Sequence, residues 1–316
     1  MPRRYVIAVA VLFVLAAVVS AQYTPWLYWT FLPKDQAAEI VGEASGETAW
    51  NTVAEINAFN RERFDEEFTG NFLETQVIVR KLKSYGLAGV EVVTYPGSQA
   101  WRAVKGELWE TKPGRQKIAS IHDMLPMLAS GSATADVAGE LVWVGRGTAK
   151  EILDAKVEGK VVVTEGGLMS AYGAAIPQGA LGVIAISMSR PYFDTIQMPW
   201  GGISTRGRDV PAGQPGQPAA QPPAPKFAFQ VPVREGDILK RRLLANEKIT
   251  VRAQVESKME TADLENVLAL IPGTDPAAGE VILSAHLFEG MQKQGANDNI
   301  SGSACILEVA RVLNAL

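Results

Sequence analysis

His286 and Asp298 stand twelve residues apart, one closing an apolar run and the other inside a turn of small residues. The run is Val281-Ile-Leu-Ser-Ala-His286 and the turn is Gly295-Ala-Asn-Asp298-Asn-Ile-Ser-Gly302. A neutral imidazole and a carboxylate are the commonest donors of hydrolytic zinc sites. A carboxylate can also bridge two metals through its two oxygens. Gly295 and Ala296 let the backbone turn tightly, while Asn297, Asn299 and Ser301 can hydrogen-bond the turn and cap a following helix. The same residues suit an ordinary helix cap, and a histidine at a strand end is often only hydrogen-bonded. Spacing alone leaves both readings open.

For His286 and Asp298 to meet, a strand must end at His286, a loop must fold back, and a helix must start after the turn. The sequence predicts a strand over 281–285 and a helix over Ala304-Cys-Ile-Leu-Glu-Val-Ala-Arg-Val-Leu313. Cys305 reads as a buried small residue on that helix. Upstream, three- and four-residue spacing of Ala49, Val53, Ile56 and Phe59 predicts a helix over 35–64. A second helix follows Thr69-Gly70, with Gly86 as its C-terminal glycine. Residues 89–96 and 103–109 read as two paired strands. Residues 137–187 read as short strands alternating with short helices, the strands at 137–144, 157–163 and 179–186. A helix is expected over 234–244, its Lys240, Arg241 and Arg242 forming a solvated face. Strands follow at 249–255 and 264–271. Residues 210–225, rich in Pro, Gly, Gln and Ala, read as a surface loop.

Composition bounds the rest. The 316 residues are 47% hydrophobic and 20% charged, an ordinary globular balance large enough for two domains. A formal net charge of −4 gives no reason to expect a nucleic-acid partner. One cysteine excludes an internal disulfide framework. Arg3 and Arg4, the apolar run from Val6 to Val19 and the small residues Val19-Ser-Ala21 read as a signal peptide over 1–21. This places the rest outside the cytoplasm, in the periplasm or secreted. An uncleaved anchor over 5–21, with Tyr23, Trp26, Tyr28 and Trp29 at the interface, is the alternative and the only route to a membrane.

Asn266-Val267, Ile271-Pro272-Gly273, the run ending in His286 and the Gly295–Gly302 block with Glu308 together resemble metallopeptidase family twenty-eight, the co-catalytic zinc aminopeptidases and glutamate carboxypeptidase-like proteins. Residues Val157-Glu-Gly-Lys160 and Gly179-Ala-Leu-Gly-Val-Ile184 are similar to the protease-associated domain inserted in many of them. The resemblance implies an α/β fold: a three-layer α/β/α zinc-peptidase domain with a mixed sheet, interrupted by a β-rich protease-associated domain. It divides the chain into a helical lead-in (22–118), the protease-associated domain (119–256) and the start of the catalytic domain (257–316). It implies hydrolysis of a peptide substrate by a water activated between two zinc ions, His286 ligating one and Asp298 bridging both.

The general-base glutamate and the remaining ligands of such a site would lie beyond Leu316, so the chain reads as an N-terminal portion with an incomplete sheet, inactive alone. His122, the other histidine, reads as a surface or structural residue. The position two residues after His286, usually Asp in the family, is Phe288, leaving Glu289 as the carboxylate that could orient the imidazole. Two alternatives stay open: a non-catalytic binding or scaffold protein of the same fold, and a protease-associated module that binds peptides. Substrate specificity and oligomeric state are not legible.

Overall fold

The two apolar runs expected to pair with each other are parts of one strand, and the same is true of the runs at 249–255 and 264–271. These two strands form the backbone of a computed structural model that describes residues 32–59, 65–187, 195–203, 226–275, 277–287 and 295–316. In chain order come helices α1 (Lys34–Glu43), α2 (Gly46–Asn57) and α3 (Leu73–Ser84), then strands β1 (Glu91–Lys112), β2 (Gln116–Ser120) and β3 (Ala135–Trp143). Next follow α4 (Ala149–Ala155), β4 (Val161–Thr164), α5 (Leu168–Ala175), β5 (Gly182–Ser187) and β6 (Phe227–Pro232). The remaining elements are α6 (Val233–Leu244), β7 (Thr250–Leu268) and α7 (Ser301–Ala315). The fold is mixed α/β, with seven strands in the order β2-β1-β7-β3-β4-β5-β6.

The sheet has two halves. β3, β4, β5 and β6 run parallel to one another. Parallel strands covered by helices are buried on both faces, which is why they read as continuous apolar runs; Val161 to Val163 are fully buried. Phe227, Phe229, Ile184 and Val251 fill one core layer and Ile152, Val162, Val183 and Ala171 the other. The short helix α4 starts on a capping box, Thr148 and Glu151 each satisfying the other's backbone N–H.

The other half is antiparallel: β7 pairs with β1 along almost its whole length and with β3 over its first residues. Pro96-Gly97, which read as the end of a strand, is a bulge between Tyr95 and Ser98. Gly97 takes φ +80 there and donates its N–H to Asp263 Oδ1 at 3.0 Å. An extra residue of this kind bends a strand without ending it. The polar stretch of β7 is held by its ladder, by the Arg102–Glu260 ion pair at 3.2 Å and by Ala262, buried against Phe68 and Phe72. β7 runs unbroken through position 256.

Three further expectations are corrected. The helix expected over 35–64 is two, broken at Ala44–Ser45, with residues 60–64 outside the described set. Ser45 adopts an extended backbone and its side chain accepts a hydrogen bond from the Thr48 N–H at 3.1 Å, an N-cap that starts a new helix. Residues 281–285 carry no strand: they find no ladder partner among the described residues, and Val281 is 92% exposed. Apolar patterning makes a strand only where a neighbouring edge supplies hydrogen bonds. The basic face of α6 is not simply solvated either. Arg242 grips buried Glu110 with two hydrogen bonds of 2.6 and 2.8 Å and also reaches Glu247; Lys240 pairs with Glu165. Arg241 alone of the trio is exposed.

The segment 1–21 and the loop 210–225 lie outside the described residues. Among the described residues, no helix is long and apolar enough to cross a membrane.

Candidate metal centre

The site is built where the chain leaves 281–286 and enters α7. Leu287, Ile271 and Val267 pack against a cluster formed by Ile56, Val77, Leu82, Ile300 and Leu307 from α2, α3, α7 and the turn before it. That cluster anchors the residue after His286 and the residue two after Asp298 in one apolar layer. Ser303 Oγ, in the first turn of α7, donates to the His286 carbonyl at 3.2 Å. The two ends of the motif are therefore fastened to each other by packing and by a hydrogen bond.

The turn itself is unlike a regular helix start. Gly295 takes a left-handed φ of +59, and the Ile300 N–H reaches back to the Gly295 carbonyl at 3.1 Å. Between them Asp298 and Asn299 leave helical geometry, with φ −128 and −139. The departure swings the Asp298 side chain outward, where it is 70% exposed. Ser301 Oγ donates to the Asn297 carbonyl at 2.7 Å, tightening the turn. Asn299 Oδ1 accepts the Gly302 N–H at 3.1 Å, satisfying one of the orphan donors at the start of α7. Position 302 must be glycine for this, since a Cβ there would lie 2.2 Å from Asn299 Oδ1. Replacing Asn299 by alanine is expected to lower stability by about 1 kcal/mol through the lost cap, measurable by urea unfolding. An unchanged midpoint would show that the cap contributes nothing.

The structure brings His286 and Asp298 together: His286 Nε2 lies 3.2 Å from Asp298 Oδ1. That distance suits a direct hydrogen bond. It equally suits two donors of one tetrahedral zinc, which at 2.0–2.1 Å from the metal lie roughly 3.3 Å apart. The two side chains therefore fit as part of a zinc donor set. Among the described residues no group of three or more His, Cys, Asp or Glu side chains is gathered at one point. Glu289 and Phe288 lie outside the described residues, and His122 is an exposed residue remote in sequence from this turn. Cys305, expected to be buried, is exposed on α7. The apolar faces of that helix are wider than a single stripe, and position 305 falls on the outer one.

Sequence reasoning missed the support around α7. Glu308 is buried, accepts the Ser45 N–H at 2.6 Å and pairs with Arg311 at 2.8 Å. Arg311 in turn donates to the carbonyl of Glu43 at 2.7 Å, the last residue of α1. Glu308 and Arg311 thus clamp α7 to the α1–α2 junction. The one available signal was their three-residue spacing, which marks a helical ion pair but not its distant partners.

Residues 266–316, which include both His286 and Asp298, match the model of peptidase family M28. No curated protein sequence matches the chain. Among solved structures, the chain is similar to the aminopeptidase from Aneurinibacillus sp. strain AM-1, at 24% identity and a TM-score of 0.51, covering 88% of this chain and 61% of that one. It is similar to a peptidase M28 precursor from Shewanella amazonensis SB2B, at 16% identity and a TM-score of 0.61, covering 88% and 62%. It is similar too to BSAP, a zinc aminopeptidase from Bacillus subtilis, at 17% identity and a TM-score of 0.52, covering 85% and 58%. The chain spans about three fifths of the length of these structures, and at such identities the likeness is one of fold.

Proposed function

We propose that this chain is part of an aminopeptidase-like zinc exopeptidase, with His286 as a ligand of one zinc and Asp298 shared between two. The observation that carries the reading is the 3.2 Å approach of His286 Nε2 to Asp298 Oδ1 within the stretch that matches peptidase family M28. The aminopeptidases among the similar structures favour a peptide as substrate.

Bound zinc would supply a Lewis acid that polarises a carbonyl and acidifies a water. The chain's own residues would hold and orient it. His286 offers Nε2 as the donor atom, its backbone held by Ser303. Asp298 presents its carboxylate on an exposed turn, open to substrate and water. Asn299, Ser301 and Gly302 hold that turn at the start of α7 through the hydrogen bonds Ser301 Oγ to the Asn297 carbonyl and Gly302 N–H to Asn299 Oδ1. A zinc needs three or four protein donors, or three and a water, so turnover is expected to require donors beyond these two. Glu289 is the nearest candidate in sequence to orient the imidazole.

Cobalt(II), which reports its ligand field in the visible spectrum, tests the assignment. The chain is expected to bind cobalt(II), and zinc to compete it away. His286→Ala and Asp298→Ala should each weaken binding on the order of tenfold or more, with unchanged circular dichroism. Equal affinity in the wild type and both variants would remove these residues from the metal site.

A further inference from the structure

The described residues form two bodies with separate cores. One core, built on the parallel strands, draws its side chains from between Trp101 and Val255. The other, beneath the metal turn, draws them from residues 53–90 and 267–310. No side chain belongs to both. β1 and β7 run from one body into the other, paired along their length. β2 pairs with β1 only from Glu107 to Glu110, and β3 with β7 only from Thr250 to Val255. Between the bodies the sheet is therefore a two-stranded ribbon among the described residues. Two strands alone are marginally stable and twist more than a wider sheet.

Little else stiffens the crossing. β7 is exposed there at Glu256, Lys258, Met259 and Thr261. β1 exposes Val104, where the ladder slips by one residue between Ala103 and Lys105. Such a slip leaves a residue unpaired and disrupts the ladder locally. Further along, an open groove of about 660 Å³ lies between Val79 and Arg80 of α3 and Val92 and Thr94 of β1. The tie nearest the crossing is Arg102. Its neighbour Trp101 is held in the parallel-sheet body, the indole N–H donating to the Ser132 carbonyl at 3.0 Å. The Arg102 guanidinium rests on the Phe68 ring, 4.7 Å from its centroid, and pairs with Glu260 at 3.2 Å. Phe68 belongs to the short turn Asp65–Thr69 that leads into α3, on the helical body. A cation stacked on a ring is a modest attraction. Bodies that share no large apolar interface move relative to each other by default.

We infer that the parallel-sheet body swings on this ribbon as on a hinge, flexing at Val104 and at Glu256–Thr261, and that Arg102 stacked on Phe68 is the latch that sets its orientation. A hinge needs only a few residues that absorb the change in backbone angle. Releasing the latch frees the swing and leaves both cores intact, since no core side chain spans the crossing. His286 and Asp298 lie together on the helical body, so the inference goes beyond the metal reading and stands without it.

Distances between spin labels, read by double electron–electron resonance on the whole chain, test the hinge. One label sits on Cys305, exposed on α7, and the other on Leu153→Cys, at an exposed position of α4. A control pair, Leu153→Cys with Ile238→Cys in a Cys305→Ser chain, lies wholly within the parallel-sheet body. Arg102→Ala should widen the distance distribution between the bodies at least twofold and leave the control pair unchanged. Phe68→Leu keeps an apolar side chain without the ring and should widen it as much. Arg102→Lys keeps a charge for Glu260 but loses the planar stack, so it should fall between wild type and Arg102→Ala. A distribution between the bodies as narrow as the control's in all three variants would overturn the inference. Equal widening of both pairs would mean that the fold has loosened throughout, and would overturn it as well.

Discussion

Arg242→Ala is expected to destabilise the chain by about 3 kcal/mol, the low end of the cost of breaking a buried ion pair because Arg242 keeps one edge in water. Glu110 is 2% exposed and takes two hydrogen bonds from the guanidinium. Without Arg242 its remaining partner is the Gly114 N–H at 3.2 Å, and a carboxylate in that position has lost its neutralising charge. The fork geometry matters, so Arg242→Lys should recover only part of the loss. Replacing both members, as Glu110→Leu with Arg242→Met, should be far milder than the single change, since two apolar side chains leave no orphan charge. The pH dependence follows from the same pair. The Arg242 guanidinium holds the Glu110 carboxyl below the usual carboxylate range. A depressed carboxyl stabilises the fold above its unfolded pKa of about 4.3, and the contribution is lost as pH falls through the lower folded value. The difference between wild type and Arg242→Ala, measured by urea unfolding, should therefore shrink in acid. A difference that stays constant from pH 7 to pH 3 would mean that packing of the arginine stem, not its charge, is what the variant loses.

Arg242 also shows where a sequence stops being legible. On a helix of alternating charge it looked like a solvated residue, because its partner Glu110 is 132 positions away and on another element. The parallel strands were the opposite case. Val161-Val-Val163 and the run through Ile184 announce burial on both faces whatever their neighbours. The β1/β7 ribbon was half legible: its apolar ends read as strands, but its middle is polar and held by cross-strand pairing, which no local pattern records. Val281 to Ala285 failed for a related reason. Their pattern states a preference for a strand, while strand formation needs an adjacent edge, and the described residues place none there. The turn was the most legible part of the site. Gly295, Asn299 and Gly302 act within seven residues of one another, and so the local chemistry of capping and of left-handed glycine decides its shape. His286 joins it through Ser303 and Leu287, contacts short enough in sequence for the spacing to suggest them.

The support beneath that turn leads to the second large expectation. Glu308→Gln should cost about 2 kcal/mol, the scale of a hydrogen bond to a charged group. The glutamate holds three donors: the Ser45 N–H at 2.6 Å and the Arg311 Nε and Nη2 at 3.0 and 2.8 Å. An amide offers one oxygen and no charge, so at least one donor is left without an acceptor. Ser45 is the sensitive one, because its backbone N–H opens α2 and has no helical partner of its own. Arg311 would remain on the Glu43 carbonyl, keeping the end of α1 in place while α2 loosens. The cause can be separated from a change of shape by pH. Arg311 lowers the Glu308 carboxyl from its ordinary value. Its stabilisation is therefore present above about pH 4.3 and fades as pH drops through the depressed folded pKa. Wild type should approach Glu308→Gln in stability below that window and exceed it above. Two denaturation series, at pH 7 and pH 3, decide the matter, and parallel curves would sink the clamp. The consequence for the site follows from position. Glu308 lies on the helix that Asp298 introduces, and Ile56 and Ile300 share one apolar cluster across the α2–α7 contact. Loosening α2 removes packing from Ile300, two residues after Asp298. Cobalt(II) affinity of Glu308→Gln should accordingly fall, but by less than in Asp298→Ala, because the carboxylate is still present and only its positioning has weakened.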